Sequence, residues 1–181
     1  TVLGIRKFKY GIMSKKDFID KLYKERSDYK YPAQAVSMSN ALNTVSSDIY
    51  SESQRFLFEL IQNADDAAVN YSPENEIQFE FHNDCLIISH NGKPFDKSDI
   101  EAIADYGEGT KKSNQSSTGY KGIGFKSVFG KSDKVHVFSD GFNFRFDKKF
   151  IKQSFEGRKM PWQIIPIWTE RDELPEKYKS I

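Results

Sequence analysis

Three groups of residues in this chain have the types and spacing to do chemistry. Arg55, Glu59, Asn63 and Asp66 follow one another at spacings of four, four and three, so at about 100° per residue they share one narrow arc of a helix. They form a polar stripe that aligns a carboxylate and an amide one turn apart, although a solvated helix face has the same pattern. The second group is a glycine concentration: Gly107, Gly109, Gly119, Gly122 and Gly124 are five of the chain's eleven glycines. Such density asks for backbone that comes close to a ligand. The run ends Gly122-Ile123-Gly124-Phe125-Lys126-Ser127 and leads into an apolar segment read as a helix, so its amides and the helix N-terminus would face an anion such as phosphate. A flexible linker before a helix is the alternative. The third group is His90-Asn91-Gly92-Lys93-Pro94-Phe95, which follows the strand-like Leu86 to Ser89 and reads at least as an Asn-Gly turn.

Local patterns predict the elements that carry these groups. Ser14 caps a helix with Asp17 three residues on, and Phe18, Ile19, Leu22 and Tyr23 repeat at helical spacing; this helix packs on the main domain or on a partner. Ala33 to Ile49 is weakly periodic and rich in serine and asparagine, which predicts a broken helix. Glu52 to Asn70 carries the strongest signal: Phe56, Leu57, Leu60, Ile61, Ala64 and Ala68 mark an apolar face opposite the polar stripe, which predicts a buried helix. Glu76 to His82 and Cys85 to Ser89 flank Asn83-Asp84 as a hairpin, and Lys97 to Asp105 reads as a short helix. Tyr106 to Thr118 has almost nothing to bury and reads as a mobile loop. Beyond the glycines, Phe125 to Phe129 restarts an apolar helix, and Val135, Val137, Phe142, Phe144 and Phe146 alternate around Asp140-Gly141 as a second hairpin. A less regular connection leads to a strand over Gln163 to Trp168. This order of strands and helices predicts an α+β two-layer sandwich.

The bulk numbers bound the partners. At 181 residues and 38% hydrophobic the chain fits one domain of ordinary size. Lysine plus arginine, 27, nearly balances aspartate plus glutamate, 26, so no global field recruits nucleic acid or an anionic membrane. The single Cys85 has no companion for an internal disulfide or a zinc cage, which predicts a reducing, cytoplasmic setting. No apolar stretch approaches the roughly 20 residues that span a bilayer, and Thr1 to Tyr10 lacks a signal-peptide core. The start at Thr1 and the stop at Ile181 within a mixed segment suggest a piece of a longer protein.

The order of these motifs is that of the GHKL superfamily of Bergerat-fold ATPases, which includes gyrase, heat-shock chaperones, histidine kinases and MutL. Glu59-Leu60-Ile61-Gln62-Asn63-Ala64-Asp65-Asp66-Ala67 resembles the superfamily's first box, and Gly119-Tyr120-Lys121-Gly122-Ile123-Gly124-Phe125-Lys126-Ser127 resembles its third. Asp48-Ile49-Tyr50-Ser51 ahead of the first box, and Trp162-Gln163 through Trp168 near the end, further resemble the sacsin and NO VEIN branch. The resemblance covers roughly Ser46 to Trp168. It implies a mostly antiparallel sheet with helices on one face, in an ATP-binding domain over residues 46–181 behind a helical lead-in over residues 1–45.

It also implies ATP and Mg2+ as ligands, with roles for particular residues. Asn63 supplies a hard oxygen to the metal, which prefers octahedral oxygen ligands and keeps several waters. Glu59 accepts the proton of the water that attacks the terminal phosphate. Asp66 orients the adenine side or ordered waters. Gly119, Tyr120, Lys121, Gly122, Ile123, Gly124 and Phe125 line the phosphates, Tyr106 to Thr118 closes as a lid with Lys111 and Lys112 on the phosphates, and Lys126 either reaches phosphate or points to solvent. His90 departs from the pattern: most of the superfamily has an aspartate there, followed by a glycine corresponding to Gly92, to accept a hydrogen bond from the adenine amine. Neutral imidazole offers one acceptor nitrogen only, which implies adenine selectivity that is weaker, supplied by water or pH dependent, the alternative being that His90 packs at the strand end while another group reads the base. The implied setting is a chaperone-like or defence-related protein in which slow hydrolysis acts on further domains of the same polypeptide or on a homodimer partner. A nucleotide sensor without hydrolysis, a histidine kinase and a MutL-like DNA-handling ATPase are the alternatives. His82, His90 and His136 lie in or beside strands, which disfavours the kinase, and the near-neutral charge disfavours the DNA enzyme.

Overall fold

The computed structural model describes residues 13–49, 54–71, 74–106 and 124–174, and within them the chain is α+β. Helix α1, Lys15–Ser27, starts where Ser14 Oγ accepts the Asp17 amide at 3.0 Å, as the capping pattern predicts. Phe18, Ile19 and Leu22 are buried on its inner face, and the Phe18 ring meets Phe142 edge-on at 6.1 Å. The lead-in helix therefore shares its core with the strands that follow.

Helix α2, Pro32–Ile49, is continuous over 18 residues, which corrects the expected break. Proline at its first position suits a helix start. Ala35, Ser39 and Leu42, at spacings of four and three, are buried on one face, so tertiary packing outweighs the poor propensity of serine and asparagine. Helix α3, Arg55–Ala68, is shorter than the periodic stretch and only half sunk. Ala64 and Ala68 are buried and Phe56 and Leu60 pack on the core, whereas Ile61 is exposed. The expected buried helix is thus a surface helix, seated by its small residues.

Among the described residues the strands form two separate antiparallel sheets. Strands β1, Ile77–Phe81, and β2, Leu86–His90, pair with Phe81 opposite Leu86 and Ile77 opposite His90. Strands β3, Lys134–Ser139, and β4, Phe142–Asp147, close around Asp140 and Gly141, both at positive φ (44° and 73°), the backbone a two-residue hairpin turn requires. Two connections depart from expectation. The segment after Gly124 is a six-residue 3-10 helix, Phe125–Gly130, not an α-helix; glycine at both ends leaves it too short to propagate. The strand expected from Gln163 begins as a 3-10 turn, Trp162–Ile164, and pairs only over β5, Ile167–Trp168, beside β4. Pro161 and Pro166 lack the amide protons a longer ladder needs.

The core lies between β4 and the elements on its Phe142, Phe144 and Phe146 face. Phe129 stands edge-on to Phe146 at 5.2 Å and to Trp162 at 5.1 Å. This anchors the 3-10 helix at the centre of the molecule, where it touches α2, α3 and β3. Helix α4, Lys97–Ile103, is fixed by a full capping box: Asp96 Oδ1 accepts the Asp99 amide at 3.1 Å, and Asp99 Oδ2 accepts the Asp96 amide at 3.1 Å. Helix α5, Lys148–Ser154, capped by Asp147, occupies the expected irregular connection. Among the described residues no helix is long and apolar enough to cross a membrane.

Candidate functional site

Helix α3 holds the stripe. Glu59, Asn63 and Asp66 are half-buried along one side, while Arg55 is exposed and pairs with Glu59 at 3.6 Å. Half-burial separates them from a simple solvated face, on which all four would stand clear. Asp65, next to the stripe, accepts from Asn75 at 3.4 Å.

Two glycines bring other segments onto this helix. At Gly124 an added Cβ would collide with the Glu59 carboxylate and lie 3.3 Å from its Cδ. The carboxylate therefore rests on the bare Cα of the last residue of the glycine run. At Gly92 an added Cβ would lie 2.9 Å from the Ala67 carbonyl carbon and 3.0 Å from its Cβ. Here backbone meets backbone, a contact only glycine permits. The next residue seals it: the Lys93 amide donates to the Ala67 carbonyl at 2.8 Å, one of the last-turn acceptors that a helix leaves unsatisfied.

Asn91 locks the same turn to the hairpin. Its Oδ1 accepts the Glu76 amide at 3.0 Å and its Nδ2 donates to the Glu74 carbonyl at 2.8 Å. Lys93 reaches forward to Asp96 at 2.9 Å, and the Ser98 hydroxyl together with Lys93 holds the Asp96 carboxyl well below the usual carboxylate range. The turn after β2 is thus tied to α3, to β1 and to the cap of α4.

His90 Nδ1 accepts the Gly92 amide at 3.1 Å. Partial desolvation lowers its pKa and favours the neutral ring. Neutral imidazole accepts at one nitrogen only, so the other, Nε2, carries the proton and presents a donor. The acceptor that could have taken an adenine amine is already engaged.

Phe125, expected at the phosphates, turns its ring into the core against Phe129 at 6.0 Å and Phe146 at 6.5 Å. Lys126 does not point to solvent. It is 3% exposed, and its Nζ donates to the Ile103 carbonyl at 2.8 Å. Lys111, Gly119, Tyr120, Lys121, Gly122, Ile123 and residues 107–118 of the expected lid lie outside the described residues. Asn91, Lys93 and the Ile103 carbonyl were not singled out by sequence. Asn91 and Lys93 sat inside the quoted turn, whereas nothing local marks a carbonyl 23 residues from its lysine. Two open clefts, of about 450 Å³ along Gln34, Met38 and Tyr106 and about 530 Å³ among Ser14, Phe95 and Phe142, do not include Glu59, Asn63 or Gly124.

A family model described as the Sacsin domain matches residues 37–152. The chain is similar to Protein NO VEIN of Arabidopsis thaliana, 38% identical over 133 residues, which is 74% of this chain and 5% of that protein. It is also similar to Sacsin of Homo sapiens, 32% identical over 96 residues, 46% of this chain and 2% of that protein. The chain therefore spans a small fraction of the length of these curated relatives. No solved structure matches it.

Proposed function

Since this chain belongs to the Sacsin domain family, we propose that it is a Bergerat-type (GHKL) nucleotide-binding module that takes Mg-ATP and hydrolyses it slowly. The observation that carries this reading is the position of α3 between two glycines. Gly92 lies on the Ala67 backbone near its end, with no room for a Cβ, and Gly124 lies against the Glu59 carboxylate near its middle, where a Cβ would displace that side chain. The turn after β2 and the last glycine of the run, distant in sequence, both meet the helix that carries the stripe, which linker, turn and solvated face would have no reason to do.

The residues suit the ligand. Asn63, half-buried between the two glycine contacts along the helix, offers an amide oxygen of the type Mg2+ accepts. Among the described residues no cluster of three histidine, cysteine, aspartate or glutamate side chains forms a metal cage, so in this reading phosphate oxygens and water complete the metal's shell. Bound nucleotide supplies the phosphoanhydride whose cleavage releases the energy. Glu59 holds a carboxylate where the glycine run meets the helix and accepts a proton from water. Gly124 and the residues before it offer backbone amides to phosphate. Asp66 and His90 stand at the Gly92 end, where the base would lie. The turnover acts on further domains of the longer polypeptide or on a partner copy.

A second reading, a nucleotide sensor that does not hydrolyse, draws on one observation: Arg55 pairs with Glu59 at 3.6 Å and competes for the base.

Calorimetry with ATP, ADP and GTP, with and without Mg2+, tests the reading. The chain binds ATP, and Asn63→Ala removes the magnesium-dependent part of the affinity, since alanine offers the metal no oxygen. Equal Mg-ATP binding by parent and variant would refute the placement of the metal on α3.

A further inference from the structure

Lys126 stands two residues beyond Gly124, inside the molecule, where an ammonium is costly unless paired. Its Nζ donates to the Ile103 carbonyl at the C-terminal end of α4, where helix carbonyls carry partial negative charge. Asp105, just past that end, attracts it, and Arg26 of α1, which pairs with Asp105 at 3.3 Å, repels it. The cluster lies behind the segment whose backbone meets Glu59.

We propose that Lys126 is a positioning residue of the nucleotide site: its bond to Ile103 fixes the turn after Gly124, and its buried charge attracts the phosphates of a ligand it does not touch. The proposal rests on the nucleotide reading and deepens it, because it assigns the site's response to ligand charge to a residue behind the binding surface. Burial holds the Lys126 ammonium down to about 8. Near that pH the free protein holds the amine partly neutral, and a bound polyanion favours the ammonium, so binding takes up a proton. The sign follows. The charged form that favours the anion is lost as pH rises through about 8 in the free protein and through a higher value in the complex, so affinity for phosphate-bearing ligands falls across that window. Among the described residues, Asp105 and Arg26 are charged groups that act on Lys126, and Tyr29 lies beside Arg26. Burial pushes the Tyr29 hydroxyl further up, away from this range.

The test is calorimetry of the full chain with Mg-ATP and with adenosine, in buffers of different ionisation heat, from about pH 7 to about pH 9.5. In the parent, ATP affinity falls on the order of fivefold across this range, with proton uptake, while adenosine binding stays flat. Lys126→Arg binds ATP tightly without a pH slope, and Lys126→Met binds it weakly without one. A lysine that only held the fold would leave the slope in place and weaken adenosine and ATP alike. ATP binding by the parent with neither slope nor proton uptake overturns the inference while leaving the nucleotide reading intact. An absence of ATP binding at every pH overturns both. Should a variant fail to fold, the parent's slope and proton uptake decide.

Discussion

Replacing Gly124 with alanine separates the position of the Glu59 carboxylate from the stability of the fold. The backbone there has φ −58° and ψ −44°, a conformation any residue adopts, so alanine brings no strain of its own. Glycine-to-alanine changes at such positions usually add about 0.4–1 kcal/mol by restricting the unfolded chain. The new methyl group meets the end of a flexible side chain, and Glu59 must swing away by about 1 Å to restore van der Waals contact. The swing gives up the exposed pair with Arg55, a contribution of at most about 0.5 kcal/mol. These terms nearly cancel, so the melting temperature moves by less than about 4 °C. A general base displaced by an ångström costs about a hundredfold in turnover. The assay follows ATP hydrolysis and thermal melting of parent and variant side by side. The Gly92→Ala variant is the contrast: its methyl group meets the Ala67 backbone, which cannot rotate away, so stability falls by about 1–3 kcal/mol. Hydrolysis by Gly124→Ala at the parent's rate would refute either the seat of Glu59 on Gly124 or its role as base.

Two further outcomes follow from the histidines. With Nδ1 engaged by Gly92 and Nε2 a donor, His90 suits a carbonyl better than an amine; His90→Asp, an acceptor only, shifts the ATP-to-GTP affinity ratio toward ATP by about tenfold, and an unchanged ratio would remove His90 from base recognition. Burial, with Lys134 and Arg145 nearby, lowers the His136 pKa to about 4. The unfolded chain then binds more protons than the fold between the usual histidine value and that one, so stability is lost as pH falls through this window. The urea midpoint of the parent therefore drops more steeply on acidification than that of His136→Phe, and parallel curves would contradict the burial argument.

The stripe, both hairpins and the cap of α1 were legible because each is written in residues within a turn or two of one another. Glu59 and Asn63 share a face through helical spacing alone, Asp140-Gly141 supplies the positive φ of its turn, and Ser14 lies beside the amide it caps. Local pattern failed where distant residues set the outcome. The serines and asparagines of α2 argued for a break, yet burial of Ala35, Ser39 and Leu42 holds it continuous. The apolar face of α3 promised a buried helix, but how deep a helix sits depends on what packs over it, and Ile61 stays exposed. Lys126 read as a phosphate contact or a solvated lysine, and became a buried strut because Ile103 and Asp105 arrive from α4. The glycines announced that something comes close without saying what. Gly92 and Gly124 received their partners, Ala67 and Glu59, only when the chain folded, since spacing along a chain sets which side chains share a face and only packing sets which faces meet.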